Sequence, residues 1–164
     1  MQAHFQIFAR YNAWANHRLY AAIAALPTEA LSQDRPAAYF KTILGTLNHI
    51  LVVDRLWLGR ILREDTAGLH LDMILHDNFP KLRSARQEED RRIIDLADRF
   101  GPRDFERTVV YRTTGGESFS TELGQLLSHL FNHQTHHRGQ LHALLKDAGA
   151  DPPVLDLIYF MRAA

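Results

Sequence analysis

The 164-residue sequence contains no cysteine, which excludes disulfide frameworks, thiolate metal sites and cysteine nucleophiles. No apolar run approaches the roughly 18 residues that a membrane span requires, so we expect no membrane segment. The first ten residues lack the charged and apolar regions of a signal peptide, which makes the cytoplasm the default location. Basic and acidic residues number 19 each, and this zero balance without a basic block predicts no nucleic-acid binding.

What remains is the composition of an ordinary globular protein, apart from its histidines. Hydrophobic residues make up 46% and charged residues 23%, and the length fits one domain over residues 1–164. The sequence holds ten histidines, and five of them lie between residues 129 and 142. Without cysteine, such a cluster points to metal or proton chemistry. The simpler interpretation, histidines on a surface helix, has to be weighed against their spacing.

Hydrophobic periodicity predicts an all-α fold. Apolar residues recur at helical spacing in four long segments: residues 3–26, 39–63, 80–100 and 120–146. A β-branched and aromatic run over residues 108–113, followed by two glycines, predicts a small β-hairpin before the last helix. A short apolar segment, residues 155–161, is expected to dock at the end. Together these elements indicate a four-helix bundle, an architecture whose interior often holds metal sites.

The strongest local pattern lies on the last long helix. His133 and His137 are four residues apart and fall within the apolar stripe of that helix. Buried imidazoles need a partner for each nitrogen, and a metal ion supplies one such partner. The alternative is a pair of hydrogen-bonded core histidines. The spacing favours a metal ion held by both rings.

A third ligand has to come from another helix, and His49 is the candidate. Helical geometry alone leaves this choice open, because His49 lies opposite the main apolar stripe of its helix. His129, four residues before His133, is an alternative ligand or a group that contacts a ligand. Gln140 lies near the stripe and could orient a ligand. Asn12 and Asn16 lie on the apolar face of the first helix, where hydrogen bonding inside the bundle competes with a role beside the metal.

Three histidines and an open position are typical of a working metal site rather than a structural one. An all-histidine ligand set favours zinc or nickel, since iron and manganese sites more often include a carboxylate. The zinc-protease motif is excluded because Gln134 occupies the position of its glutamate. The di-iron bundle motif is excluded because no glutamate has a histidine three residues later.

Three segments carry a family resemblance that covers essentially the whole chain. Residues 129–140 (HLFNHQTHHRGQ) resemble the signature of the DinB family, which is DNA-damage-inducible in name. Residues 11–16 (YNAWAN) resemble its first-helix signature. Residues 47–50 (LNHI) and 54–58 (DRLWL) resemble its second, with Asp54 where many members have glutamate. The resemblance implies a DinB/YfiT-type four-helix bundle, a homodimer, and metal ligands at His49, His133 and His137.

The resemblance also suggests an activity by analogy of fold. The wider superfamily includes metal-dependent enzymes that use low-molecular-weight thiols, such as bacillithiol S-transferases and mycothiol-dependent maleylpyruvate isomerase. One hypothesis is therefore an enzyme that binds one divalent metal and a thiol and transfers or isomerises a small-molecule substrate, with His129, Asn12 and Asn16 positioning it. The alternatives are a non-catalytic metal-binding stress-response protein and a helical interaction module with structural histidines.

Overall fold

The computed structural model describes residues 1–36 and 38–163. It contains four long helices, two short helices, a 3₁₀ turn and one hairpin. Their bounds are α1 Gln2–Ile23, α2 Thr28–Ser32, α3 Ile43–Leu62, α4 Phe79–Arg99, the 3₁₀ turn Pro102–Glu106, β1 Thr108–Arg112, β2 Ser118–Glu122, α5 Leu123–Asp147 and α6 Leu157–Ala163. The predicted mainly helical bundle with a small hairpin before its last long helix is confirmed. Within the described residues, each helix is too short or too polar to cross a membrane.

Local chemistry sets the helix ends, and several predicted ends were wrong by a few residues. The helix predicted from residue 39 begins only at Ile43, because Lys41 adopts a left-handed backbone (φ 64°) and Thr42 caps the helix by accepting from the Gly45 amide. The last long helix was expected to open at residue 120 or 121. It begins at Leu123 because residues 120–122 are paired with β1 in the hairpin.

The helices form two apolar clusters, one toward each end of the bundle. The first cluster joins the beginnings of α1 and α5 to the ends of α3 and α4, and the second joins the opposite halves of the same four helices. α1 therefore runs parallel to α5 and antiparallel to α3 and α4. Because α3 and α4 are parallel, the chain must return along the length of the bundle between them, about 30 Å for a 20-residue helix. Residues 63–78 make this return.

A layer of polar side chains separates the two apolar clusters. Its central bonds join Arg86 of α4 to Asp54 of α3 at 2.5 Å and to Asp90 at 3.0 Å. From α5, Gln134 donates to Asp54 and Arg138 donates to Asn12 of α1. These side chains are all buried, which satisfies the rule that buried charges are paired. The layer ties all four long helices together at mid-height.

α3 is the central helix, with 16 of its 20 residues buried within one chain. The packing within one chain thus accounts for the apolar character of this helix on nearly every side. The homodimer remains a prediction of the family resemblance. At the C-terminal end, Phe160 of α6 packs against Tyr11 and Trp14 of α1, so the last apolar segment docks as expected.

Candidate metal centre

His49, His133 and His137 lie together on one side of the polar layer. One ring nitrogen from each lies within 4.8 Å of the other two, and they form the single such group of three or more potential ligands within the described residues. His49 comes from α3, and the other two come from α5 one turn apart. The antiparallel packing of α3 on α5 brings these positions level. The structure thus brings His49, whose role helical geometry left open, together with His133 and His137, which the four-residue spacing favoured.

The hydrogen bonds of two of the histidines leave the same nitrogen free. Nδ1 of His49 donates to the Leu71 carbonyl at 2.7 Å, and Nδ1 of His137 donates to Oε1 of Gln140 at 2.7 Å. A proton on Nδ1 leaves the lone pair on Nε2, the atom that can bind a cation. The Gln140 amide is oriented in turn by His136, whose Nε2 lies 3.1 Å from its nitrogen. Gln140 therefore contacts His137, and its role in orienting a ligand stays a prediction.

Nitrogen spacing within the group fits a shared cation. Nε2 of His49 and Nε2 of His133 are 3.1 Å apart. Two nitrogens bound at 2.0–2.1 Å and separated by 90–109° would be about 2.8–3.4 Å apart, so the observed distance lies within the range of a coordination edge. Nδ1 of His133 is buried and has no hydrogen-bond partner among the described residues, so its Nε2 is the nitrogen that carries the proton and donates to Nε2 of His49 when no cation is bound.

Burial keeps the three rings neutral at pH 7, as metal ligation requires. It lowers the pKa of His133 to about 3, with a further contribution from the neighbouring His137 and His49. Burial also lowers the pKa of His137 to about 4, partly opposed by the bond to Gln140. The pKa of His49 is lowered by burial as well. Three neutral imidazoles with one nitrogen each within 4.8 Å of the other two have the chemistry of a site for a divalent transition metal.

The segment between α3 and α4 supports the centre from outside. Asn48 holds this segment through two bonds to the backbone of His76, one in each direction at 2.9 Å. This places the Leu71 carbonyl against His49. Phe40 stacks on the other side of the His49 ring, with centroids 3.8 Å apart. Gly45 permits this approach, since a Cβ there would come within 2.5 Å of the Phe40 carbonyl oxygen.

Two clefts open beside the three histidines. The first, of about 450 Å³, is lined by the following residues of α3, the hairpin, α5 and the returning segment: His49, Val53, Leu56, Trp57, Arg60, Leu71, Tyr111, Thr113, Thr114, Phe119, His129 and His133. We call it the hairpin cleft. The second, of about 460 Å³, is bounded by Phe40, His137 and Gln140. His49 borders both clefts, so the centre is reached from either side.

The remaining predicted residues lie around this centre or behind it. His129 is exposed in the hairpin cleft, with its ring centroid 6.0 Å from that of His133, and it is outside the group of three. Asn12 and Asn16 belong to the polar layer, where both donate to Oδ1 of Asp90. Both thus hydrogen-bond inside the bundle, as one of the two sequence interpretations had it.

Sequence reasoning missed several residues that build the site. Phe40, Leu71 and Asn48 were not expected there, because their roles depend on the route of loops that carry no periodic signal. Arg138 and Gln134 were also missed, although each directly follows a ligand candidate. Two sequence signals pointed to the polar layer: Asn12 and Asn16 on the apolar face of the first helix, and Arg86 and Glu89 interrupting the apolar stripe of the segment that forms α4.

The fold and the site define a helical-bundle protein with three histidines positioned to bind a metal ion. Comparison with known proteins gives the family. The sequence model of the DinB family matches residues 1–164, and the chain belongs to that family. It is 26% identical over 153 residues to Protein DinB of Bacillus subtilis (strain 168), covering 85% of this chain and 83% of the relative.

A solved structure agrees on the fold. The crystal structure of a DinB-like protein from Bacillus cereus ATCC 10987 superposes with a TM-score of 0.63. The match covers 90% of this chain and 94% of that one at 18% sequence identity. At this identity the likeness establishes the shared fold.

Proposed function

We propose that this protein is a metal-dependent enzyme that uses a low-molecular-weight thiol to transform a small molecule, by transfer or isomerisation. The observation that carries the proposal is the three-histidine group bordered by two clefts. A structural metal site is closed by four protein ligands, whereas a catalytic site keeps one position for a reactant. Within residues 1–36 and 38–163 the group has three potential ligands, and His129 lies outside it.

His49, His133 and His137 would hold one divalent cation, with zinc or nickel favoured by three neutral nitrogen donors. When bound, such a cation acts as a Lewis acid that lowers the pKa of a coordinated water or thiol. Leu71 and Gln140 would keep two of the ligands in the required tautomer. Their hydrogen bonds fix the ring orientations before any cation arrives, which reduces the ordering that binding requires.

The hairpin cleft would hold the reactant. Its inner wall is apolar, formed by Val53, Leu56 and Trp57, which would exclude water from the reacting group. His129 stands in the same cleft, and the partial burial of its ring together with the nearby Arg60 lowers its pKa below the ordinary value. A neutral imidazole in this position can accept the proton that a thiol gives up. We assign His129 this role in the proposed reaction.

The first test is metal content. Untagged protein purified without chelators should contain about one zinc or nickel ion per chain by elemental analysis. His133→Ala should lose the ion, and His142→Ala should retain it, since His142 is an exposed residue of the same helix. The absence of metal from all three proteins, even after incubation with zinc or nickel, would leave a helical interaction module with core histidines.

A second test addresses the thiol. The protein is loaded with Co²⁺ in place of the native ion, and a small thiol such as 2-mercaptoethanol is added while the visible spectrum is recorded. A new intense charge-transfer band would support access of a thiol to the site. A retained metal ion with an unchanged spectrum would contradict the enzymatic proposal and favour a non-catalytic metal-binding protein.

A further inference from the structure

Arg60 occupies an unusual position at the wall of the hairpin cleft. It follows Trp57 by three residues on α3, so the two side chains share a face of the helix. Its guanidinium carbon lies 4.6 Å from the Trp57 ring centroid and 5.4 Å from that of Tyr111. The two rings are 5.2 Å apart and nearly perpendicular, at 73°. Arg60 thus lies in an aromatic corner built by α3 and the hairpin.

The guanidinium has no anionic partner among the described residues. Arg55, at the start of the next turn toward the N-terminus, pairs with Glu89 at 3.3 Å, and Arg92 pairs with Glu64 at 2.7 Å. Arg60 takes part in none of the salt bridges or side-chain hydrogen bonds of residues 1–36 and 38–163, and its Nε is buried without a partner. Arg60 is half-buried, and this partial burial lowers its pKa, partly opposed by Tyr111.

Aromatic contact cannot replace the missing partner. Stacking on a ring engages the flat face of the guanidinium and leaves the N–H groups along its edge unused. The Nε–H of Arg60 is a buried donor without an acceptor, which is costly, and a native structure seldom retains such a group without a reason. The edge of a single guanidinium matches the two oxygens of a planar carboxylate. A doubly charged phosphate would normally require further cationic groups, and Arg60 is the one arginine or lysine that lines this cleft in the described part of the chain.

The cleft connects this cation to the three histidines. From the Arg60 guanidinium, steps of 4.6 Å to Trp57, 5.1 Å to His129 and 6.0 Å to His133 follow its wall. A volume of about 450 Å³ suits a ligand of small organic size. The walls along the way are largely aromatic and aliphatic, so the middle of such a ligand would be apolar.

We infer that Arg60 binds the carboxylate of a small organic molecule whose apolar body lies along the hairpin cleft toward the histidines. This inference specifies the class of reactant and rests on the proposed function for its catalytic meaning. Binding itself depends on Arg60 and the aromatic corner, and it needs no metal ion. The two ideas can therefore fail separately.

The experiment is a calorimetric titration with 4-phenylbutyrate and with its neutral amide, 4-phenylbutyramide. Each is titrated into zinc-loaded and into chelator-treated protein, whose metal content is measured in parallel. In both forms we expect the acid to bind about tenfold more tightly than the amide, or better, as expected for a charge-assisted bidentate contact. Arg60→Met, which keeps the aliphatic stem over Trp57, should lose this preference. Arg60→Lys, which keeps the charge and loses the fork, should retain only part of it.

Arg63→Met is the matched control, because Arg63 is an exposed arginine at the end of the same helix. It should bind the acid as the wild type does. Equal binding of acid and amide by the wild type would overturn the inference. A preference for the acid that persists in Arg60→Met but is lost in the chelator-treated protein or in His137→Ala would also overturn the inference, because it would place the carboxylate on the metal. That outcome would leave the proposed function intact. Conversely, an Arg60-dependent preference in a protein that binds no metal would support this inference and contradict the proposed function.

Discussion

Replacing His137 with alanine should remove most of the stabilisation that a bound metal gives to the fold. His137 is 7% exposed and supplies one of the three convergent nitrogens. A ligand that binds only the native state stabilises it by RT ln(1 + [L]/Kd), about 2.7 kcal/mol at zinc 100-fold above Kd. If the loss of one ligand raises Kd by 100-fold, the same zinc concentration would stabilise the variant by only about 0.4 kcal/mol.

The assay is thermal unfolding with zinc and with chelator, followed by circular dichroism. For a chain of this length, about 2.7 kcal/mol corresponds to a rise in Tm of about 5–11 °C on adding zinc. The wild type should show this rise, and His137→Ala should show about 1–2 °C. Because each protein is compared with its own metal-free form, the cost of the cavity left by the ring cancels from the difference.

His142→Ala is the control for this prediction. His142 lies on the same helix and is exposed, and its one side-chain hydrogen bond among the described residues is to the Pro153 carbonyl, at 3.2 Å. The variant should keep the full zinc-dependent rise in Tm. Equal rises in the two variants would show that zinc binds elsewhere and would contradict a zinc site formed by the three histidines.

Three further predictions concern the surroundings of the site. Gln140→Leu removes the acceptor that orients its histidine and should weaken zinc binding by about 10–100-fold in competition titrations, while the exposed Gln125→Leu on the same helix should not. In the metal-free protein, the pKa of about 3 for His133 lies below the unfolded value of 6.5, so the unfolded chain binds the extra proton. The stability that comes from keeping His133 neutral is therefore present above pH 6.5 and is lost as the pH falls toward 3. The loss is at most about 1.4 kcal/mol per pH unit, and less because the ring is partly exposed. Urea unfolding of His133→Gln should accordingly depend less steeply on pH than that of the wild type. Arg86→Met leaves the buried carboxylates of Asp54 and Asp90 without their cation and should lower the free energy of unfolding in urea by about 3–5 kcal/mol. The exposed control Arg91→Met should lower it by less than about 0.5 kcal/mol. A loss below about 1 kcal/mol for Arg86→Met would contradict a charged polar layer.

Periodicity predicted the long helices and two of the three candidate ligands, since both follow from a repeat of 3.6 residues. It could not decide on His49, and the structure shows the reason. A helical wheel separates a core face from a solvent face, but α3 is buried on nearly every side. On such a helix, being opposite the apolar stripe says only that a residue meets a different neighbour. For His49 that neighbour is α5, and only the tertiary arrangement or the family resemblance could supply it.

Features that depend on loop routes were outside the reach of the sequence pattern. The Leu71 carbonyl reaches His49 because parallel α3 and α4 force the connecting segment back along the bundle. The pattern did show a break after α3, but it could not show the direction in which the chain returns. The aromatic corner around Arg60 likewise needs Tyr111, which lies 51 positions away and belongs to a hairpin with no core of its own.

The polar layer fixes the orientation of α5, the helix that carries two of the three histidines. Gln134 and Arg138 directly follow His133 and His137, so they point about 100° further round the helix, into the interior. There Gln134 bonds to Asp54 and Arg138 bonds to Asn12. These bonds fix the rotation of α5 about its own axis, because a turn in either direction would break buried hydrogen bonds to charged groups. A fixed rotation holds the two imidazoles toward His49 whether or not a metal ion is present. The polar layer therefore acts on the site as a positioning element, and Asp54, the departure from the family pattern, is one of its anchors.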